Sequence, residues 1–357
     1  MNQKDKSIME EYSNAKHDFI QLGDVVSNLL RDVVKQSGIQ VLTIEHRVKE
    51  AGSLEGKLAL KGDKYRSLSD ITDILGARVV CFFADDVDRI AQFIENTFEV
   101  DRENSVDKRA QLDPTAFGYL SLHFICSLPF GKGYPDEICG KKFEIQVRSA
   151  LQHTWSAIFH DVGYKSDFDL PRQVVRDYSR LAGLLELADE KFVYIRDYMA
   201  NYSKEVKEKI ANNQGDELKI DMVSLREYMQ HNISMQNLLE ELAAICGSEI
   251  NDTNPQLYID QLAWLGKTTL GDLHQMLDDN HGTAVQLAKC ALEGSELDIL
   301  SSTVGLRFLC QAELLRGGYS EERVAEFLAL SGKSKARAQS GAAALLRRGA
   351  TLRGEQK

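Results

Sequence analysis

The chain has 357 residues and a net charge of −11, with 43% hydrophobic and 27% charged residues. That length exceeds one ordinary domain, so two are expected, and the acidic balance disfavours nonspecific binding to nucleic acid or to an anionic membrane. The six cysteines show no CxxC spacing, which argues against structural zinc and suits a reducing, cytoplasmic setting, and no apolar run nears the ~18 residues that cross a bilayer.

Residues 8–50 read as helical, with Ile20, Leu22, Val25, Val26, Leu29, Leu30, Val33 and Val34 at three- and four-residue spacing. Residues 51–67 are rich in Lys and Gly and read as a loop with a short helix. LGARVVCFF (75–83) is a dense apolar run, short enough for a buried strand. Asp85 and Asp86 then stand as N-cap candidates before a helix carrying Val87, Ile90, Ala91, Ile94 and Phe98. Residues 101–117 read as a polar loop. GYLSLHFICSL (118–128) and KFEIQVR (142–148) alternate as strands do, and 150–165 and 172–213 read as helices. The stretch NNQGDE (212–217) marks the expected domain boundary. Everything after it lacks strand signals and breaks into helices at Gly247–Pro255, Gly266–Gly271 and Gly317–Gly318. The last 25 or so residues are basic and read as a partly disordered tail. The expected domains are thus 1–213, a helical 214–330, and a flexible 331–357. The fold class is α+β, a mixed sheet flanked by helices, followed by an all-α domain.

Alternation places Tyr119, Ser121 and His123 on one face of one strand, and Glu144, Gln146 and Arg148 on one face of the other. Neighbouring strands would gather these six groups on a single surface. On alternation alone that surface is either a solvated sheet face or a binding face. Asp73, just before the apolar strand, pairs naturally with Glu144, because two carboxylates suffice to hold Mg²⁺ against triphosphate oxygens. Either one alone is more often a cap or a surface group. Arg47, Lys49, Ser53, Lys57, Lys61 and Lys64 make a basic stretch directly before Asp73. Such a run is usually a solvated helix face, but it also has the cations a triphosphate needs. Arg47 and Arg78 can in addition stack on a nucleobase.

Four segments, RVKEAGSLEGK (47–57), DILGARV (73–79), FGYLSLH (117–123) and FEIQVRSALQHTWSAIFHDVGYK (143–165), together resemble the synthetase domain of RelA/SpoT-type alarmone synthetases. The small single-function members are the nearest in kind, and the resemblance covers about residues 45–165. It implies a nucleotidyltransferase-like fold that moves pyrophosphate from ATP to the 3′-hydroxyl of GTP or GDP, making (p)ppGpp with Mg²⁺. By the same resemblance, Arg47 and Arg78 sandwich adenine, and Lys49, Ser53 and Lys57 hold the phosphates. Asp73 and Glu144 bind the metal. Tyr119 stacks on the acceptor base, with His123, Gln146, His153 and Lys108 near the acceptor.

Phe159 and His153 depart from the family pattern on the acceptor side, where small synthetases usually have glutamate and some have asparagine. A toxin-type enzyme acting on adenosine nucleotides or on the 3′ end of tRNA is therefore the alternative. A catalytically inactive nucleotide-binding regulator is the alternative of another class. The His17-Asp18 dipeptide resembles one element of an alarmone hydrolase but lacks the helical domain that activity needs. The C-terminal helices read as an assembly or stabilising domain, or as one that senses a regulatory ligand or partner. A homo-oligomer is compatible with either.

Overall fold

The structure is a computed structural model that describes residues 3–354 apart from 62–63, 114–115, 119–120, 164–170, 213 and 296. The chain divides into two compact units, Met1–Arg196 and Asp197–Lys357, a division earlier than the boundary expected at 213.

In the first unit, helix α1 (Gln3–Ser37) buries Ile8, Tyr12, Phe19, Leu22, Val26, Leu30 and Val33 at helical spacing. It stops at Gly38, whose φ of 66° is a left-handed conformation that side chains resist. The next element is strand β1 (Val41–Val48), not the helix expected to run to residue 50. β1 lies at the edge of the sheet, and Leu42, Glu45, His46 and Arg47 are exposed, so its apolar alternation is weak. α1 crosses close above it. A Cβ on Gly23 would stand 2.6 Å from the His46 ring, which explains a glycine inside this helix.

Helix α2 (Ala51–Lys61), a 3₁₀ turn (Leu68–Asp70), strand β2 (Leu75–Cys81) and helix α3 (Asp86–Thr97) come next. Asp85 takes the N-cap position of α3 but makes no capping bond. Its carboxylate is held by Arg196 at 2.6 and 3.0 Å. The expected loop 101–117 contains two short elements, because strands β3 (Glu99–Val100) and β4 (Val106–Asp107) precede helix α4 (Lys108–Gln111). Strands β5 (Leu122–Ser127) and β6 (Phe143–Ser149) and helix α5 (Ala150–Gly163) complete the layer.

The strand order is β1-β2-β6-β5-β3, with β4 also on β5. β2 and β6 are parallel and the other pairings antiparallel, which makes the expected mixed sheet. One face carries buried Ala77, Val79, Cys81, Phe143, Ile145, Val147, Phe124 and Cys126, and packs beneath α1 and α3. α5 packs on β2 and β6. Trp155 of α5 is half-buried. It stacks on Phe159 (centroids 5.1 Å apart) and donates its Nε1–H to the Tyr178 carbonyl at 3.2 Å.

Helix α6 (Arg172–Ala211) carries the chain from one unit into the next. Its Asp189 is 4% exposed, takes a hydrogen bond from Ser149 Oγ at 2.5 Å, and has no partner for Oδ1. Burial raises its pKa above the usual 3.8, against the opposing Ser149 bond. An acid raised in the folded state is least costly below 3.8 and costs stability as pH climbs through its folded pKa. Asp189→Asn is therefore expected to raise the melting temperature at neutral pH. The gain should vanish at acid pH, where the native carboxyl is already protonated; thermal melts at both pH values check this.

The second unit has its own core. Helices α7 (Met222–His231) and α8 (Ile233–Cys246), strand β7 (Glu249–Asn251), and helices α9 (Gln256–Trp264) and α10 (Leu270–Leu292) come first. Strand β8 (Ile299–Ser301) and helices α11 (Val304–Arg316), α12 (Glu321–Ala329) and α13 (Lys335–Leu352) complete it. Leu242, Leu273, Met276, Phe308, Leu309 and Phe327 are buried together. Asp221 and Thr269 cap α7 and α10 with side-chain bonds to backbone N–H groups.

Two expectations fail here. β7 and β8 pair in parallel in a region expected to lack strands, because three-residue strands are too short to show a period. Residues expected to be a flexible tail form α13, which buries Ala338, Ala342, Leu345 and Gly349 at four-, three- and four-residue spacing. Burying one leucine contributes roughly 1.5–3 kcal/mol, and Lys335, Arg337, Arg347 and Arg348 on the same helix stay exposed. No described helix is long and apolar enough to cross a membrane.

Candidate active site

Cross-strand register builds the site. Arg47, Gly76 and Glu144 are partners across β1, β2 and β6 and share one face. The next row on that face is Glu45, Arg78, Gln146 and His123. A cleft of about 390 Å³ opens over these rows, and Arg47, Lys49, Ser53, Asp73, Arg78, Glu144 and Gln146 all line it. A larger hollow of about 830 Å³ under α1 has Glu11, Asp18, Lys141 and Lys142 in its wall. There Lys141 is already paired with Asp18, so the charges are satisfied and the hollow gathers no comparable chemistry. That same pairing gives Asp18 of the His17-Asp18 dipeptide a structural task.

Asp73 sits just before β2, where Lys49 N donates to the Ile74 carbonyl at 2.8 Å and ties the end of β1 alongside. Two ammonium groups converge on its carboxylate. Lys49 Nζ lies 3.0 Å from Oδ2 and Lys57 Nζ 2.6 Å from Oδ1. Ser53 and Lys57 are four residues apart on α2 and therefore share a face. Burial pushes the Asp73 pKa up, but the Lys57 and Lys49 bonds and charges outweigh it, and the carboxyl is held below its usual 3.8. Burial pulls the Lys57 ammonium down, Asp73 more than restores it, and its pKa ends raised. Lys61 and Lys64, the rest of the basic stretch, stay exposed.

Glu144 is held from both sides. His123 Nδ1 lies 2.7 Å from Oε1, and Gln146 Nε2 donates to Oε2 at 2.8 Å. Arg148 Nη2 in turn donates to Gln146 Oε1 at 2.8 Å. Burial pulls the Glu144 pKa up; the His123 and Gln146 contacts prevail and hold it low. The negative charge of Asp73 opposes them, so the two carboxylates feel each other across the cleft. Both are ionised near neutrality and face one space. That donor set suits a hard divalent cation whose other ligands are phosphate oxygens and water. Among the described residues no group of three or more His, Cys, Asp or Glu side chains forms an all-protein metal cage.

The remaining candidates are more scattered. His153 on α5 is half-buried, and its Nδ1 has no hydrogen-bond partner. Burial lowers its pKa, aided by the Arg148 and Arg78 charges and opposed by Glu45. Arg78 also meets Glu45 at 3.6 Å. Lys108 on α4 bonds Gln111 at 3.4 Å and does not line the cleft, and its neighbour Arg109 is tied to Asp107 and Asp88. Tyr119 lies outside the described residues.

Gly76 also lines the cleft and is a position that the search for chemical groups misses. It sits between Arg47 and Glu144, and a Cβ there meets nothing within 4 Å. A lone glycine inside a strand often marks close approach of a ligand, and that is its signal in the sequence. Gly76→Val is expected to fold at least as stably, since a strand glycine costs about 0.5–1 kcal/mol against alanine. Its side chain would fill the cleft floor and raise the KM for the nucleotide by roughly tenfold or more, about 1.4 kcal/mol. Steady-state kinetics beside a thermal melt separate the two effects.

Comparison with known proteins points to the same part of the chain. A family model described as a region found in RelA / SpoT proteins matches residues 46–169. The chain is 30% identical over 159 residues to the GTP pyrophosphokinase YwaC of Bacillus subtilis, covering 43% of this chain and 74% of that protein. It is 28% identical over 156 residues to the GTP pyrophosphokinase YjbM of the same organism, covering 42% of this chain and 69% of that one. Among solved structures, the small alarmone synthetase 1 from Bacillus subtilis aligns at 21% identity and a TM-score of 0.46, over 54% of this chain and 99% of that one. With a shared region that spans nearly the whole cleft, and a 30% identical relative covered over 74% of its length, the chain belongs to the RelA/SpoT family of GTP pyrophosphokinases.

Proposed function

We propose that the first unit transfers the β,γ-pyrophosphate of ATP to the 3′-hydroxyl of GTP or GDP, forming (p)ppGpp and releasing AMP. The observation that carries this reading is one cleft lined by Lys49, Asp73, Glu144, Gln146, Arg47 and Arg78, with Lys57 joining Lys49 on the Asp73 carboxylate and His123 joining Gln146 on Glu144. The acceptor oxygen bonds to the β-phosphorus, the bond from that phosphorus to the α,β-bridging oxygen breaks, and the bridging oxygen leaves with AMP. The hydroxyl proton departs to base or solvent.

Such transfers depend on positioning and charge neutralisation more than on covalent chemistry. Arg47 and Arg78 offer guanidinium planes to the adenine. Lys49, Ser53 and Lys57 bind and orient the phosphates, and Asp73, which lines the cleft, holds both ammonium groups in place beforehand. Asp73 and Glu144 would hold Mg²⁺, which supplies charge neutralisation at the phosphates. Glu144, fixed by two hydrogen bonds, also orients the attacking hydroxyl. Gln146 and His123, with His153 nearby, form the acceptor side, where the family resemblance also assigns Tyr119 and Lys108.

Acceptor identity is read directly by incubating the protein and Mg²⁺ with γ-labelled ATP and, separately, GDP, GTP, ADP, ATP or bulk tRNA. Label on GDP or GTP is expected. Label only on adenosine nucleotides or tRNA would overturn the guanine acceptor and leave the pyrophosphate donor in place. No transfer to any acceptor would overturn both.

A further inference from the structure

Strand β6 points Glu144, Gln146 and Arg148 to the same side of the sheet, and they touch in series. The series has a direction imposed by chemistry. A guanidinium has five N–H donors and no acceptor, so the group Gln146 turns towards Arg148 must be its oxygen. An amide has one oxygen, so its NH₂ is left facing Glu144. An ionised carboxylate only accepts, and the Gln146 Nε2 donor meets it at 2.8 Å. The other carboxylate oxygen meets His123 at 2.7 Å. Arg148 is 3% exposed, so its charge acts where water screens little.

We propose that Arg148 is a positioning residue for the transfer reaction: by donating to Gln146 it fixes which way that amide faces, and so holds the Glu144 carboxylate in its working orientation. The inference rests on the reading of Glu144 as part of the active site. Without the Arg148 donor only the Glu144 carboxylate itself holds the amide in line, and the Gln146 side chain loses its second anchor. A Gln146 side chain that swings off line withdraws its Nε2 donor from Oε2, and Glu144 then has His123 alone to orient it. Asp73 is held by Lys49 and Lys57 and not through Gln146, so ATP capture should survive the loss of Arg148.

A double-mutant cycle in the full chain tests this, with steady-state kinetics for ATP and for the acceptor. Arg148→Met is expected to lower kcat by roughly tenfold, with the KM for ATP within about twofold, the pattern of an interaction made in the transition state. Gln146→Leu should lower kcat similarly. The double variant should be no slower than the worse single variant, because Arg148 acts through Gln146. Losses that multiply, or wild-type kcat in Arg148→Met, overturn the proposal. If Arg148→Met does not fold, Arg148→Lys replaces it in the same cycle. Its loss should disappear in the Gln146→Leu background, and an undiminished loss there overturns the proposal. A wild-type chain that transfers no pyrophosphate removes the parent reading and this inference with it. An active wild type with multiplying losses removes this inference alone.

Discussion

Asp73→Asn and Glu144→Gln are each expected to lower kcat by about 10³-fold, the upper end of what one charge-stabilising group contributes. Each substitution keeps the shape of the side chain and removes its charge. The two carboxylates face one cleft, and the charge of one already reaches the other. In the proposed metal site, losing either one halves the anionic ligation offered to a divalent cation. Stability should respond differently. The Asp73 pKa is held low in the fold, so its pairing stabilises the protein above the unfolded value of 3.8 and is lost as pH falls through the folded pKa. Asp73→Asn should therefore melt somewhat lower at neutral pH and match the wild type in strong acid. The effect is modest because the partners Lys49 and Lys57 are partly exposed. Activity assays with melts at two pH values check both halves. Full turnover by both variants would remove the two-carboxylate assignment.

Lys57→Met is the second large effect. A fall of about 10²–10³-fold in kcat/KM for ATP is expected from its proposed role as a desolvated cation at the transferring phosphates. The KM for the acceptor should move far less. Lys57→Arg is not expected to restore activity. The ammonium fits between Asp73 at 2.6 Å and the Tyr65 ring at 5.4 Å, and a planar fork has a different shape and reach. The Asp73 carboxyl should also titrate higher in Lys57→Met, since the Lys57 bond is the largest influence holding it down. The acid limb of the pH–rate profile should move up accordingly. Unchanged kcat/KM for ATP in Lys57→Met would remove this lysine from phosphate binding.

Much of the site is legible in the sequence because it rests on strand alternation. Glu144 and Gln146 on one strand and His123 on the next are expected on one surface, and the register pairs His123 with Gln146 directly. The Asp73 pairs are less legible, since Lys57 and Lys49 lie 16 and 24 residues from it and only the packing of α2 and β1 brings them in. Arg148 reads in the sequence as one more polar outward residue. Only the fold shows it buried and directing Gln146. Gly76 is hidden for the opposite reason: its contribution is the absence of a side chain.

The misread elements share a cause as well. β1 is an edge strand exposed on much of its length, so it lacks the apolar signature that makes β2 plain. α13 has a buried stripe of small residues and one leucine in a segment rich in lysine and arginine, and composition outweighs period. β7 and β8 are held by pairing with each other although helices α9 and α10 lie between them in the chain, information no local window contains.

The central claim is transfer of pyrophosphate, not of a single phosphate, and product analysis tests it most directly. The full chain is incubated with α-labelled ATP in one tube and γ-labelled ATP in another, each with Mg²⁺ and GDP, and the nucleotides are separated. The account predicts labelled AMP from the first tube and an equal amount of labelled guanosine tetraphosphate from the second. Labelled ADP with singly phosphorylated acceptor, or no turnover with any nucleotide acceptor, would contradict it.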